Sequence, residues 1–111
     1  LAWASTCVRL NDLAQAELIL KNIDASKVRH KAEYPFCLGA VAEWKQQPRK
    51  ALRYYAQAID MCRYRPEYFL RYGRLIKAQG DSDAARKALT WAARIDGGDL
   101  VRKQAENVLK Q

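Results

Sequence analysis

The side chains that most often carry enzyme chemistry are few and widely separated in this chain of 111 residues. Cys7, Cys37 and Cys62 form no Cys-x-x-Cys pair, and His30 is the only histidine. Because structural zinc sites usually take closely spaced pairs of cysteine or histidine ligands, this spacing predicts no metal site and no other cofactor. We expect the cysteines to be buried and unreactive, since free cysteine behaves as a small apolar residue.

No other group of residues has the spacing of a catalytic site. A nucleophile needs a neighbouring base, and His30 lies in a polar segment without a suitably spaced serine or cysteine. Gly97-Gly98 lacks the Lys-Ser/Thr pair that would follow in a phosphate-binding loop. Asp81 and Asp83 are interpreted as helix-capping acids, because a helix N-terminus favours negative charge. The sequence therefore predicts that the chain is not an enzyme.

Composition and charge narrow the remaining function classes. Half of the residues are hydrophobic, 29% are charged, and the net charge is +8, which is typical of a folded domain. The longest uncharged stretch, residues 34–42, is far shorter than the roughly 20 apolar residues of a transmembrane helix, so we expect no membrane insertion. Since Leu1 begins a helix-like segment, we expect a fragment of a longer array. The odd cysteine count favours the cytoplasm, with the bacterial periplasm as the alternative.

The apolar pattern is helical along the whole chain. Leu38, Val41 and Ala42 recur at positions i, i+3 and i+4, and similar stripes follow, whereas no alternation of period two is sustained. Asp12 and the Gly80-Asp81 pair have the residue types of helix caps, and Pro48 and Pro66 suit first helical turns. The predicted helices cover residues 1–9, 12–23, 34–46, 48–62, 66–79, 82–95 and 100–110, and segment 24–33 could extend either of its neighbours.

The chain also matches itself when residues 32–65 are compared with residues 66–99, which is a shift of 34 positions. The matched pairs are Glu33 with Glu67, Tyr34 with Tyr68, Gly39 with Gly73, Ala51 with Ala85, and Ala58 with Ala92. A shift of 35 positions relates Ala4 to Gly39 and Ala16 to Ala51. We call the two shifts together the repeat alignment. Small residues let helix axes approach closely, so we expect the small residue of each first helix to face a small residue of the second, as Gly39 would face Ala51, with Tyr55 or Leu89 filling the adjacent space. These helix pairs are predicted to stack as repeats.

These residues resemble the tetratricopeptide repeat family, whose pattern is W-x2-L-G-x2-Y, then A-x3-F, then a late Ala and Pro. The second repeat has Leu38-Gly39, Ala51-x3-Tyr55, Ala58 and Pro66; the third has Tyr72-Gly73, Ala85-x3-Leu89 and Ala92; the first has Trp3-Ala4 and Ala16-x3-Leu20. The departures are Pro35, which replaces the opening aromatic residue, and Gly97, which replaces a late proline. The resemblance implies an all-α, right-handed superhelical solenoid of antiparallel helix hairpins. It would form one domain, with repeats at 1–26, 32–65 and 66–98 and a terminal helix at 99–111.

The resemblance further implies a concave groove lined by the first helix of each hairpin. The groove candidates are Phe36, Ala40, Glu43, Trp44, Leu70, Arg71, Arg74 and Lys77. The three cations at 71, 74 and 77 share one side of a helix, where they would bind acidic groups, and Phe36, Trp44 and Leu70 would serve as apolar anchors. Two alternatives stay open: the cations are an ordinary solvated face, and Trp44 is core between repeats.

The sequence thus favours a non-catalytic protein–protein interaction scaffold that holds a partner peptide or helix, with an acidic segment, in its groove. Family members that clamp chaperone C-termini are disfavoured, since only Arg71 fits their basic and amide residues. One alternative is a periplasmic scaffold for exopolysaccharide or pilus export, which a Cys37–Cys62 disulfide would favour. Another is a nucleic-acid-binding repeat, which the isoelectric point of about 9.6 permits but the even spread of acids disfavours. Exposed array ends would allow self-association.

Overall fold

A computed structural model of the chain describes residues 2–63 and 65–94, together with Lys103 and Asn107. These residues form helices and no strand, which confirms the all-α prediction. The helices are α1 (Ala2–Arg9), α2 (Leu13–Asn22), α3 (Ala25–Val28), α4 (Glu33–Trp44), α5 (Pro48–Met61), α6 (Pro66–Ala78) and α7 (Ser82–Arg94). The predicted helix stop at 97–99 and the predicted helix at 100–110 lie outside the continuous part of this description.

Local sequence signals account for most of the helix boundaries. The side chains of Asp12 and Asp81 each accept a hydrogen bond from the backbone N–H three residues ahead, at 3.3 and 3.1 Å. Helices α5 and α6 begin at Pro48 and Pro66, where the missing proline N–H costs no helical hydrogen bond. The predicted caps and starts are therefore confirmed. Apart from Glu33, which begins α4, segment 24–33 extends neither neighbour; it contains the separate one-turn helix α3, capped by Asp24.

The chain divides into two compact units, residues 1–61 and residues 62–111, which we call unit 1 and unit 2. In unit 1, α1 packs against α2, α4 packs against α5, and both α1 and α2 contact α4. In unit 2, α6 packs against α7. The two helices of each pair, α1–α2, α4–α5 and α6–α7, are joined by a short turn, so each pair is a helix hairpin.

The three hairpin turns share one backbone conformation. Asn11, Gln46 and Gly80 have positive φ angles of 62°, 62° and 98°, and they coincide in the repeat alignment. In each turn the next backbone N–H donates to the carbonyl five residues earlier: Asp12 to Cys7 at 2.8 Å, Gln47 to Ala42 at 2.9 Å, and Asp81 to Ile76 at 3.2 Å. This bond satisfies a carbonyl that the helix end would leave without a partner. The turns thus recur in step with the repeats of the sequence.

Within each of two hairpins, α4–α5 and α6–α7, the paired helices contact each other through equivalent residues. A Cβ atom added to Gly39 would lie 2.7 Å from Cδ1 of Tyr55, and one added to Gly73 would lie 2.8 Å from Cγ of Leu89. Both distances are shorter than carbon atoms tolerate, so a larger residue at either position would require the neighbouring side chain to shift. Tyr55 and Leu89 are buried, as are the alanines at 51 and 85. The atoms nearest to the two glycines thus belong to Tyr55 and Leu89, which were expected beside this contact, and not to the small residues Ala51 and Ala85 that were expected to face them.

Candidate functional site

Three of the predicted groove residues are buried: Phe36, Ala40 and Leu70. The ring of Phe36 packs against the ring of Tyr55, with centroids 5.7 Å apart. Helix α4 is apolar on nearly every side, because α5 covers one side of it while α1 and α2 contact it elsewhere. Phe36 and Ala40 therefore belong to the core of unit 1. Leu70, on α6, is buried as well, so none of the three offers an exposed anchor.

The next two candidates lie at the end of α4 and differ from each other. Glu43 is half-buried, and its Oε1 accepts a hydrogen bond of 2.7 Å from the hydroxyl of Tyr55. This bond satisfies a polar group of the core and ties α4 to α5, so it explains Glu43 as a packing residue. Trp44 is 48% exposed, which resolves its two interpretations in favour of a surface position.

The three cations of α6 form a surface that we call the α6 basic face: Arg71, Arg74 and Lys77. Arg74 is exposed, whereas Arg71 and Lys77 are half-buried and each makes a further contact within the chain. Lys77 lies in the last turn of α6, where the helix dipole favours positive charge. The dipole explains Lys77 in part but leaves Arg71 and Arg74, which lie nearer the middle of the helix, unexplained.

One acidic side chain near this face was missed by the sequence analysis. Glu67, in the first turn of α6, is half-buried, and its Oε2 is buried without a hydrogen-bond partner among the described residues. Its counterpart in α4, Glu33, accepts a 3.3 Å hydrogen bond from the hydroxyl of Ser5. A buried acceptor without a hydrogen-bond donor lowers the stability of the fold, so a donor group placed beside Glu67 at the start of α6 would be stabilising. No sequence signal distinguishes the two glutamates.

A second group of cations follows the α4–α5 turn. Arg49, Lys50 and Arg53 are all exposed, and none of their side chains forms an ion pair with another described residue. Lys45, in the turn itself, forms an ion pair with Glu17 of α2. The sequence analysis assigned no role to this group.

The ion pair of Lys45 with Glu17 perturbs the acid. The hydrogen bond from Lys45 lowers the pKa of Glu17 below its ordinary value, and partial desolvation opposes this change by raising it. The positive charge of Lys21, whose Nζ lies 3.9 Å from the Glu17 carboxylate, also lowers the pKa. The pair joins α2 to the end of α4 within unit 1.

Among the described residues, no group of three or more His, Cys, Asp or Glu side chains has the arrangement of a metal site. Cys7 and Cys37 are buried as predicted, whereas Cys62 lies just beyond α5 and is half-buried; none of the three forms a disulfide bond. His30 is exposed in the turn that follows α3, as predicted.

No protein-family model matches the sequence, and no curated protein is significantly similar to it. Within the part of the chain that the structure describes, every helix is too short or too polar to cross a membrane.

Proposed function

We propose that this chain is a tetratricopeptide-like helical repeat that binds another protein and takes an acidic segment of that partner on the α6 basic face. Stacking of its hairpins into a right-handed solenoid is part of the proposal, as is a non-catalytic role. The repeat assignment is supported by the three positive-φ turns, which coincide in the repeat alignment, and by the equivalent contacts at Gly39 and Gly73.

The observation that carries the binding proposal is a difference between equivalent helices. In the repeat alignment, Arg71, Arg74 and Lys77 of α6 correspond to the α4 residues Cys37, Ala40 and Glu43. Cys37 and Ala40 are completely buried, so a repeat of this kind can be built with small apolar residues at these positions. The cations of α6 are therefore not a requirement of the hairpin, and a role in binding accounts for them.

The surroundings of these cations favour the carboxylates of a protein. Fully exposed ion pairs contribute only about 0–1 kcal/mol each, whereas partly desolvated charges interact more strongly. Arg71 and Lys77 are half-buried and already held by contacts within the chain, so they would lose less conformational freedom on binding. An arginine guanidinium also matches the two oxygens of a carboxylate. An acidic segment of a folded or extended partner fits these properties.

The test is affinity capture of partner proteins with matched charge-reversal variants. The wild-type bait is compared with R74E/K77E, which changes the α6 basic face, and with R86E/K87E, which reverses two exposed cations of α7. All lysates are treated with nuclease, and each bait is shown to be folded by its melting transition. We expect R74E/K77E, but not R86E/K87E, to lose a partner that the wild type captures.

The captured partner is then tested for an acidic binding segment. Synthetic peptides that cover its acidic stretches are titrated against the three baits, with fluorescence anisotropy as the readout. The proposal expects one such peptide to bind the wild type and R86E/K87E, and to lose about tenfold or more in affinity for R74E/K77E. A partner whose affinity is the same for both variants would remove the α6 basic face from the interface.

A further inference from the structure

The start of α5 carries a concentration of positive charge that folding does not explain. Arg49, Lys50 and Arg53 lie in its first two turns, are exposed, and form no ion pair with other described residues. Arg49 and Arg53 are four residues apart on the helix, and like charges at that spacing are mildly destabilising. Cations near a helix N-terminus also oppose the helix dipole.

In the other two hairpins, the second helix begins after a capping aspartate. Asp12, Gln47 and Asp81 are equivalent in the repeat alignment, and each precedes the second helix of its hairpin. Asp12 and Asp81 cap their helices through side-chain hydrogen bonds of 3.3 and 3.1 Å. The middle hairpin has neutral Gln47 instead of the capping acid, and cations follow it. Its turn is therefore more positive than either equivalent turn of the same chain.

An exposed aromatic ring lies at the same end of this hairpin. Trp44 is the last residue of α4, and only residues 45–47 separate it from the start of α5. Its side chain is 48% exposed. The end of the hairpin thus carries cations without an ion-pair partner among the described residues, together with an exposed tryptophan. We call this surface, formed by Trp44, Arg49, Lys50 and Arg53, the α5 basic end.

We propose that the α5 basic end binds single-stranded nucleic acid, with the cations on its phosphates and Trp44 stacked on a base. Fully exposed cations gain little from isolated carboxylates, since such pairs contribute only about 0–1 kcal/mol. They gain much more from a strand of closely spaced phosphates, because binding releases the counterions condensed on that strand. Base stacking on an exposed aromatic ring adds affinity without sequence preference.

This surface is distinct from the α6 basic face and goes beyond the proposed function. Every residue of the α5 basic end lies in unit 1, whereas the α6 basic face lies in unit 2. The two proposals also differ in mechanism. Half-buried cations suit the carboxylates of a protein, whereas exposed cations beside an aromatic ring suit a polyanion with bases. Either proposal can fail while the other stands.

The test is binding of a fluorescein-labelled oligothymidylate to the whole chain, followed by fluorescence anisotropy over a range of salt concentrations. R49Q/R53Q removes two charges of the α5 basic end, and R86Q/K87Q removes two exposed charges of α7 as the matched control. A second matched pair consists of W44A and W91A, since the two tryptophans are 48% and 50% exposed. Melting transitions establish that each variant is folded.

We expect the wild type to bind with a strong dependence on salt, losing about tenfold or more in affinity between roughly 50 and 200 mM salt if three phosphates are contacted. R49Q/R53Q should reduce the slope of log K against log salt by about 1.4, whereas R86Q/K87Q should leave it near the wild-type value. W44A should weaken binding several-fold more than W91A.

Three results would overturn the proposal. The first is no binding of the oligonucleotide by the wild type even at low salt. The second is an equal loss in R49Q/R53Q and R86Q/K87Q, which would mean that net charge alone attracts the strand. The third is equal or tighter binding of polyglutamate at the same surface, which would assign the α5 basic end to an acidic protein.

Discussion

The hairpins α4–α5 and α6–α7 share an interior contact and differ on their surfaces. In both, a glycine of the first helix lies against a buried side chain of the second, Tyr55 in one case and Leu89 in the other. Outside this contact, α4 has buried Cys37 and Ala40 where α6 has Arg71 and Arg74. The glycine contact is therefore common to both hairpins. The positions outside this contact can hold either small buried residues or cations.

The contact itself differs in one respect that affects stability. Tyr55 is an aromatic residue that is fully buried, packed against Phe36, and hydrogen-bonded to Glu43. Leu89 is also buried, but it is a smaller side chain with branched methyl groups that can take up another rotamer. We therefore expect hairpin α4–α5 to be destabilised more than hairpin α6–α7 by a substitution at its glycine.

The largest expected effect in this comparison follows from adding one methyl group at each glycine. Gly39→Ala should lower the free energy of unfolding by about 1–2 kcal/mol, because the overlap with the Tyr55 ring outweighs the better helix propensity of alanine. Gly73→Ala should change it by less than about 1 kcal/mol, because Leu89 can move. Denaturant unfolding of both variants measures the difference. A larger loss in Gly73→Ala would show that Leu89 is the more rigid partner.

The turns offer the next largest effect. Gly80→Ala should lower the free energy of unfolding by about 1 kcal/mol, because its φ of 98° strains any residue with a Cβ atom. No atom of the described residues outside Gly80 and its two chain neighbours lies within 4 Å of the new Cβ, so steric overlap adds nothing to this cost. Gln46→Gly should raise it by about 0.5–1 kcal/mol, because the same left-handed conformation strains glutamine. Asn11→Gly should have the smallest effect, as asparagine tolerates this conformation. Melting temperatures that change in the opposite directions would contradict the shared turn conformation.

A smaller effect tests why the middle turn lacks its acid. Gln47→Asp should raise the free energy of unfolding by about 0.5–1 kcal/mol, since aspartate caps the equivalent helices in the other two hairpins. The same change should weaken oligonucleotide binding, because it places a negative charge beside Arg49 and Lys50. Gln47→Asn serves as the control, since it supplies a cap without the charge. Unchanged affinity in Gln47→Asp would argue against phosphate binding at this turn.

The smallest effect concerns the Glu17–Lys45 ion pair. Because the pKa of Glu17 is lowered on folding, its contribution to stability is present above the ordinary carboxyl pKa and disappears as pH falls through the lowered value. Glu17→Gln should therefore melt at a lower temperature than the wild type near neutral pH, and the difference should vanish in acid. Added salt should also reduce the difference. A difference that persists in acid would point to a cause other than the charge of Glu17.

Local signals in the sequence predicted much of the fold because caps and breakers act within a few residues. Asp12, Asp81, Pro48 and Pro66 begin or cap helices where their residue types indicate. Other local features were missed: Asn11 and Gln46 adopt the conformation of Gly80, yet neither is a glycine. Their positive φ angles follow from the hairpin closing after each first helix, which the residue types alone do not specify.

The candidate site was harder to predict, because exposure depends on what packs against a face. Phe36 and Arg74 both had the spacing of groove residues, yet one is buried and the other is exposed. Glu43 looked like a groove acid, and it is instead the acceptor for the hydroxyl of Tyr55. The group of cations at the start of α5 was visible in the sequence, but its lack of ion-pair partners in the described part of the chain was not.

By itself the sequence determined that the chain is helical, where most helices begin, and which small residues let paired helices touch, because these properties depend on residues close together in the chain or repeated at a fixed interval. The tertiary structure alone decided which of the candidate residues are covered. Phe36 and Ala40 of α4 are buried because the neighbouring helices α1, α2 and α5 contact α4. The positions of those neighbours are set by packing between distant segments, which a helical repeat in sequence does not encode.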